Sequence, residues 1–393
     1  MDPLQEANLI YDQLVAWRRD LHRHPELGLD TERTAAIVAD KLRELGYAVQ
    51  EGIAKNGVIG LLENGEGAVV MHRADMDALP IQEENDVDYA SEHPGRMHAC
   101  GHDSHVAMGL GIATLMAEHR DAWQGTLKLI FQPGEEAQNG AEIMVKEGAL
   151  EDPRPDAALA VHIWNYFPYG SIGVTSGPVM AAAEAWKATI VGRGGHGAMP
   201  DDTVDPVVTA ALTVANLQTI VSRNVSALDT AVVTVGSIQS GDAFNVIPER
   251  AVLKGTVRTY DEGVRATVLR RLREVVEGTA QTMGARAEFE MMPLTPALVN
   301  DEEVTALVRD VVVDLLGAEA VSEMRTMGSE DFSFFLDEVP GCYIFVMSGP
   351  EDYQDRPHHS PRFDIVERAM VDGVAVIVEA LTRLMPPAGP DGE

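Results

Sequence analysis

A short polar segment at residues 95–107, G-R-M-H-A-C-G-H-D-S-H-V-A, holds the residues best suited to chemistry in this 393-residue chain. It contains three histidines, an aspartate and one of only two cysteines, and Cys100 and His102 flank a single glycine. Thiolate, imidazole and carboxylate groups are the main metal-ligand types in proteins. A polar turn that caps the following helix is the alternative explanation, but the concentration of donors favours a metal site.

Further candidate metal ligands lie in three later segments, two of which follow apolar runs typical of buried strands. Glu136 follows the run at 125–131, His162 follows the run at 156–161, and His359 lies in an H-H-S-P loop. Five donors from four segments suit two adjacent metal ions, which need a bridging ligand, terminal ligands and a shared water. We therefore predict a centre for two divalent metal ions, with a bridging thiolate, built from Cys100, His102, Glu136, His162 and His359.

Glu135 stands directly before the predicted ligand Glu136, in the segment F-Q-P-G-E-E at 131–136. A metal-dependent hydrolase needs a base beside the reacting water that is not itself a ligand, and two consecutive glutamates can divide these tasks. Two surface acids of an acidic protein are the alternative. The position after a strand and downstream of the Cys-Gly-His segment favours one glutamate as ligand and the other as proton carrier.

Other polar residues near these segments are expected to support the site. Asp75 and Asp77 are two residues apart, so in an extended segment both point to the same side. They are expected to orient histidines, although hydrogen bonding at a strand end is an alternative. His105 lies one helical turn after His102 and either packs beneath the site or acts as a further ligand. The remaining histidines of the N-terminal half are expected to be structural: His22, His24, His72 and His98.

Strand and helix patterns alternate through the first part of the chain. Because such alternation favours an α/β sheet that is at least partly parallel, the polar residues that follow its strands should meet at one edge of that sheet. The apolar patterns predict strands at 58–62, 68–72, 125–131 and 156–161, and helices at 5–24, 31–45, 106–117 and 141–150.

The pattern changes between residues 184 and 296 and then resumes. The order of elements there, β-α-β-β-α-β, is that of a small ferredoxin-like domain. We therefore predict an α/β catalytic domain with a mixed sheet, formed by 1–183 and 297–393, and an inserted ferredoxin-like α+β domain at 184–296. Beyond the insertion the patterns predict helices at 301–316, 328–335 and 364–385, a buried strand at 343–347, and a disordered tail at 386–393.

The composition of the chain argues against several partner classes. The net charge of −32, from 30 basic and 62 acidic residues, disfavours nucleic acid and anionic membranes, which require clustered Lys and Arg. The sequence has no apolar run of about 18 residues that would predict a membrane span, and its N-terminus lacks the pattern of a signal peptide. Two cysteines cannot build a disulfide framework, so we expect a cytoplasmic protein.

The candidate site residues and the segments around them, taken in chain order, resemble the amidohydrolase branch of the aminoacylase family of metallopeptidases. That branch includes hippurate hydrolases, N-acyl-amino-acid amidohydrolases and the indole-acetyl-amino-acid hydrolases of plants. The matching segments extend over nearly the whole chain: R-A-D-M-D-A-L-P-I (73–81), M-H-A-C-G-H-D-S-H (97–105), F-Q-P-G-E-E (131–136), A-V-H-I-W (160–164), G-R-G-G-H-G-A-M-P (192–200), N-V-I-P (245–248), G-S-E-D-F-S (328–333) and H-S-P-R-F (359–363).

The resemblance implies a two-metal catalytic domain and an inserted lid domain that often mediates dimerisation. A homodimer or higher homo-oligomer is therefore expected. The resemblance assigns the metals to the same five residues, selects His359 over His358, and makes Glu135 the general base and acid. In the lid it implies substrate contacts from His196, Asn245 and Arg258.

Together these expectations predict hydrolysis of the amide bond of an N-acyl amino acid by metal-bound hydroxide, with Glu135 moving the proton. Zn²⁺, Mn²⁺, Co²⁺ and Ni²⁺ are all candidate metals, because thiolate and imidazole favour late divalent ions while carboxylates allow Mn²⁺. A deacetylase of an N-acetyl-diamino acid intermediate and a dipeptidase are alternative enzymes. A non-catalytic metal- or peptide-binding relative should lack Glu135 or a ligand, whereas this chain has them all.

Overall fold

The computed structural model describes residues 1–387, so most of the tail at 386–393 lies outside the described residues. The helices are α1 Pro3–Leu9, α2 Tyr11–Arg23, α3 Glu32–Glu44, α4 His102–Glu118, α5 Glu135–Gln138, α6 Gly140–Lys146, α7 Pro206–Asn224, α8 Glu262–Thr282, α9 Glu302–Leu316, α10 Ser333–Leu336 and α11 Ala369–Leu384. The strands are β1 Ala48–Ile53, β2 Gly57–Asn64, β3 Val69–Asp75, β4 Gly125–Gln132, β5 Ala157–Pro168, β6 Ile172–Gly173, β7 Gly177–Met180, β8 Ala182–Val191, β9 Gly195–His196, β10 Ala231–Gln239, β11 Val246–Ile247, β12 Arg250–Thr259, β13 Arg286–Thr295, β14 Leu298–Asn300, β15 Val321–Ser322 and β16 Gly341–Gly349.

The described chain divides into two compact units. The first unit comprises residues 1–177, 299–325 and 331 onward, and the second comprises residues 178–298 together with 326–330. The second unit thus covers residues 184–296, the segment predicted as an inserted domain. It extends a few residues beyond each end of that segment and includes one short later segment.

An eight-stranded sheet forms the centre of the first unit, in the order β1-β2-β4-β3-β5-β16-β6-β15. β3 is parallel to both β4 and β5, and β5 is parallel to β16, whereas β1, β2 and β4 pair antiparallel. The predicted α/β class with a mixed sheet is confirmed. In the register of β3 with β4, Asp75 is opposite Gln132, so the polar residues that follow these strands begin at the same edge.

Helix α4 lies in the core of the first unit and carries part of the polar segment at its N-terminus. Its residues 102–116 are all buried, which fits a sequence that is apolar and small on every face. Gly109 allows close packing, because a Cβ there would lie 2.8 Å from the Phe131 ring. The helix begins at His102, earlier than the predicted start at 106, and its N-cap is Gly101 with φ 90° rather than a capping side chain.

Three other predicted helices were wrong in extent. The predicted helix at 5–24 is divided at Ile10, where φ is −98° and ψ is 9°. The predicted helix at 328–335 is only the single turn α10, because the buried Asp331 carboxylate binds Arg73 and Gln132. The last helix begins at Ala369 rather than at residue 364.

The second unit is a four-stranded antiparallel sheet with two helices. Its strand order is β10-β12-β8-β13, which numbers 2-3-1-4 along the chain for the pattern β-α-β-β-α-β. Helices α7 and α8 and the sheet share one apolar core, which includes the fully buried Trp186. α7 begins with Pro206 in its first turn, and the Asp205 carboxylate accepts hydrogen bonds from the amides of Val207 and Val208.

Two further observations concern membrane-spanning helices and the state of the cysteines. Among the described residues, no helix combines the length and the apolar character needed to cross a bilayer. Both cysteines are free thiols, and Cys342 is fully buried in β16.

Candidate metal centre

The five predicted ligands come together in the first unit as two triads that share one residue. Cys100, His102 and His162 form one triad, and Cys100, Glu136 and His359 form the other. Within each triad the candidate ligand atoms all lie within 4.8 Å of one another. The shared member is the cysteine, the residue whose thiolate can bridge two cations.

His162 is held so that its Nε2 atom faces the Cys100 thiol. It lies in the middle of β5, opposite Phe345 of β16, because the strand continues to Pro168 and does not end at residue 161 as predicted. Its Nδ1 lies 2.6 Å from the Ile163 carbonyl oxygen, which can only accept a hydrogen bond, so Nδ1 carries the proton. The unprotonated Nε2 lies 3.6 Å from Cys100 Sγ. A backbone contact of this kind orients an imidazole for metal binding.

His359 and Glu136 face each other in the second triad. His359 Nε2 lies 3.1 Å from Glu136 Oε1, yet this oxygen is buried and makes no hydrogen bond of acceptable geometry. His359 has φ 62°, a left-handed conformation that is uncommon for a non-glycine residue, and its amide donates to the Ala99 carbonyl at 2.8 Å. The backbone of the Cys100 segment therefore fixes where His359 stands.

The His102 ring lies among carboxylates. Its Nδ1 is 3.5 Å from Asp77 and its Nε2 is 3.8 Å from Asp75, and both nitrogens are buried without a hydrogen bond. Burial opposes the charged imidazole, but the charges of Asp75, Asp77 and Glu136 raise its pKa to about 10. Burial, reinforced by carboxylate charges, also raises the pKa of the Cys100 thiol. Cations bound here would displace these protons, because thiolate and neutral imidazole are the ligand forms.

Asp77 positions the pair of glutamates. Its two carboxylate oxygens accept hydrogen bonds from the amides of Glu135 and Glu136, at 3.0 and 3.1 Å, at the start of α5. The preceding Gly134 has φ 73°, and a Cβ there would lie 2.6 Å from Leu29. The Glu135 carboxylate lies within 4.8 Å of candidate ligand atoms of both His102 and Glu136. Asp77 thus faces His102, as expected, and also fixes α5, which the sequence did not indicate.

His105 and His358 are engaged elsewhere. His105 Nδ1 lies 2.5 Å from Asp75, and its Nε2 accepts the Ile163 amide at 2.8 Å, so both nitrogens have partners. Of the two roles considered for His105, packing beneath the site is the one that this geometry favours. His358 Nε2 accepts the Asn165 amide at 3.1 Å, whereas the adjacent His359 faces Glu136.

A buried ionic network, which was not predicted from the sequence, connects α2 to two of the four segments that carry candidate ligands. Arg18 is fully buried and donates to Asp103 at 3.2 Å, Asp364 at 3.0 Å and Glu367 at 2.9 Å. His22 Nδ1 also contacts Asp103, at 2.8 Å. Asp103 follows His102 directly and Asp364 follows the His359 loop, so one guanidinium holds both segments. The only signal in the sequence was a pair of charged residues on the apolar side of a helix.

Replacing Arg18 with methionine is expected to lower the free energy of unfolding by about 3–5 kcal/mol, because buried carboxylates lose their counter-charge. Urea denaturation of the variant measures this loss. Arg19→Met is the matched control, since Arg19 is 34% exposed and its closest carboxylate contact is Glu367 at 2.9 Å. The control should lose less than about 1 kcal/mol. Equal losses in both variants would contradict a special role for Arg18.

The buried His22 is expected to make the protein less stable as the pH rises above neutrality. Burial opposes its charging, but the hydrogen bonds to Asp103 and Glu83 raise its pKa from 6.5 to about 9. A raised folded-state pKa gives stability that is complete below pH 6.5 and lost towards pH 9. His22→Gln should remove up to about 1.4 kcal/mol per pH unit from the slope of unfolding free energy in that window. An unchanged slope in urea titrations would disprove the assignment.

The residues implied as substrate contacts lie in the second unit. His196 in β9 is exposed and pairs with Val246 of β11, and Asn245 accepts the Gly197 amide through its carbonyl at 2.8 Å. The short β9–β11 pair thus brings His196 and Asn245 together. Arg258 lies in β12 between β8 and β10, half-buried, and its Nη1 has no hydrogen-bond partner among residues 1–387. Burial lowers its pKa.

The family model for peptidase family M20/M25/M40 matches residues 71–383. The chain belongs to this family. N-acetyl-L-cysteine deacetylase of Bacillus subtilis (strain 168) is 38% identical over 375 residues, covering 95% of this chain and 88% of the relative. IAA-amino acid hydrolase ILR1-like 4 of Arabidopsis thaliana is 37% identical over 390 residues, covering 97% of this chain and 88% of the relative. The predicted resemblance to the aminoacylase-like amidohydrolases is confirmed.

A solved structure shows the same fold. The Bacillus subtilis YXEP protein, described as a dinuclear metal binding peptidase from the M20 family, superposes with a TM-score of 0.84 at 31% identity, covering 96% of this chain and 99% of that one.

The M20-family chain described here is an enzyme that hydrolyses amide bonds. Its five donors fit divalent cations, since they supply one thiolate, three imidazoles and a carboxylate around buried atoms that lack hydrogen bonds.

Proposed function

We propose that this M20-family enzyme hydrolyses the amide bond of N-acyl amino acids with two divalent metal ions held by Cys100, His102, Glu136, His162 and His359. The observation that carries the proposal is the pair of triads that meet at Cys100, with the Glu135 carboxylate within reach of both. A shared thiolate between two sets of terminal ligands is the arrangement that two adjacent cations require.

Glu135 is assigned as general base and then general acid. Bound divalent ions would lower the pKa of a water and polarise the acyl carbonyl. Glu135 takes the proton from the attacking water and delivers it to the leaving amine. Asp77 supports this role, because it holds the Glu135 amide while leaving the carboxylate of Glu135 beside His102 and Glu136.

The lid residues are assigned to the substrate. Ala198 donates its amide to His196 Nδ1 at 3.0 Å, so His196 Nε2 carries the proton and can donate to an oxyanion. The exposed Asn245 side chain and the Arg258 guanidinium, whose Nη1 has no hydrogen-bond partner in the described part of the chain, suit the carboxylate of the amino-acid half. Alanine at each position should therefore weaken substrate binding rather than metal binding.

The second unit is proposed as a lid and as the site of homodimerisation. β10 is an edge strand of its sheet, and Val232 and Ile238 on it are exposed by 36% and 51%. An exposed strand edge with apolar side chains favours pairing with a second copy. Light scattering of the purified protein tests this assignment. The two free thiols support the proposed cytoplasmic location.

The function is tested by assaying chelated enzyme reloaded with Zn²⁺, Mn²⁺, Co²⁺ or Ni²⁺, the four candidate metals. The substrates are N-acetyl, N-benzoyl and indole-acetyl amino acids, with N-acetyl-diamino acids and dipeptides included for the alternative reactions. Metal-dependent release of a free amino acid from the N-acyl substrates is the expected result. Turnover of only diamino acid derivatives or dipeptides would overturn the proposed substrate class.

A further inference from the structure

The last part of β5 carries aromatic residues on the same face as His162. β3 pairs with β5 only as far as Ala160, while β16 continues beside it to Pro168. Side chains alternate along a strand, so Trp164 and Tyr166 share the face of His162. The ring centroids confirm this, at 5.7 Å from His162 to Trp164 and 5.1 Å from Trp164 to Tyr166.

His358 extends this face into a continuous aromatic wall. Its ring centroid lies 5.0 Å from that of Trp164 and 5.2 Å from that of Tyr166. Trp164 also contacts Phe345, and their ring centroids are 5.1 Å apart. The wall, Trp164, Tyr166 and His358, runs from a proposed ligand to the 43% exposed ring of Tyr166. The three rings are tilted against one another by 34–52°, so the exposed face of the Tyr166 ring is the surface on which another ring can stack.

One buried donor in the wall has no acceptor. Trp164 is only 8% exposed, and its indole Nε1 makes no hydrogen bond within the described residues 1–387. This atom is itself covered from solvent, so the indole supports the neighbouring Tyr166 ring and does not contact a ligand through its N–H. The wall is also close to the metal centre, since the rings of Trp164 and His358 lie 5.7 and 5.4 Å from the ring of the proposed ligand His162.

We propose that Trp164 and Tyr166 form the acyl-group subsite and select planar aromatic acyl groups over acetyl. The aromatic ring of the acyl group stacks on the exposed face of Tyr166, and the buried Trp164 ring holds Tyr166 in place. The inference rests on the proposed function for its substrate class, because it specifies the acyl half of an N-acyl amino acid. His358 acts as a positioning residue, whose ring supports both Trp164 and Tyr166.

The test compares Tyr166→Ala with Phe167→Ala. Phe167 is the matched control, because it is adjacent, similarly exposed at 47%, and directed to the opposite face by strand alternation. For Tyr166→Ala, kcat/KM with N-benzoyl and indole-acetyl amino acids should fall about tenfold, while the value for N-acetyl amino acids changes less than about twofold. Phe167→Ala should change neither, and Tyr166→Phe should keep the preference. Equal loss on all substrates, or no loss, would overturn the inference while the proposed function stands.

A binding measurement separates this inference from the reaction itself. In the Glu135→Gln background, calorimetry with N-benzoylglycine should give a Kd about tenfold weaker after Tyr166→Ala, whereas N-acetylglycine binding should be unaffected. Trp164→Phe keeps an aromatic ring against Tyr166, so it should preserve the preference for the aryl ligand. Aryl-selective binding without turnover in the parent enzyme would support the subsite and reject the proposed function. Absence of aryl-selective binding would reject the subsite.

Discussion

Glu135→Gln is expected to lower kcat for amide hydrolysis by about 10²–10⁴-fold while the protein still binds two metal ions. Glutamine keeps the shape of the side chain and the Asp77 hydrogen bond to the amide, but it cannot accept the proton from water. Steady-state kinetics measure the rate, and elemental analysis of the same sample measures the metal content.

A matched control for this variant is Glu142→Gln. Glu142 lies on the following helix α6 and pairs with the exposed Lys146, so its replacement should leave kcat within about twofold. Full activity in Glu135→Gln would reject its assignment as the base. Loss of activity together with loss of metal would instead show that Glu135 is a ligand.

Cys100→Ala is expected to abolish the binding of both metal ions and reduce activity by more than about 10³-fold. The reason is geometric, because Cys100 belongs to both triads, whereas His162 and His359 belong to one each. His162→Ala should therefore retain one ion more readily than Cys100→Ala. Elemental analysis after dialysis against buffered metal gives the number of ions per chain.

The second cysteine gives the control for this comparison. Cys342 is fully buried in β16 and belongs to neither triad, so Cys342→Ala should keep two ions per chain. Two ions and undiminished activity in Cys100→Ala would disprove the bridging assignment. A single ion lost from Cys100→Ala and from His162→Ala alike would place the cysteine in one site only.

The proximity of the candidate ligands in the fold could be predicted, because it follows from local sequence patterns. Glu136 comes after an apolar run that marks a buried strand, and parallel strands end at one sheet edge. His162 also follows an apolar run, although β5 continues beyond it to Pro168. Cys100 and His102 are two residues apart, so their proximity needs no tertiary information. The mixed sheet followed from the alternation of the strand and helix patterns.

The supporting network could not be predicted, because its contacts depend on tertiary packing. Arg73 binds Asp331 across 258 positions, and Arg18 binds Asp364 across 346. A single charged residue carries no sequence pattern that names its partner. These contacts also explain errors in the helix limits, since Asp331 lies in a segment predicted as helix and is instead bound by Arg73 and Gln132.

The most direct test of the central assignment is a titration of chelated enzyme with Zn²⁺ or Mn²⁺, following hydrolysis of N-benzoylglycine and bound metal together. Activity should be absent without metal and should reach its maximum when two ions per chain are bound. Full activity in the chelated enzyme, or two bound ions with no hydrolysis of any N-acyl amino acid, would contradict the proposed two-metal amide hydrolase.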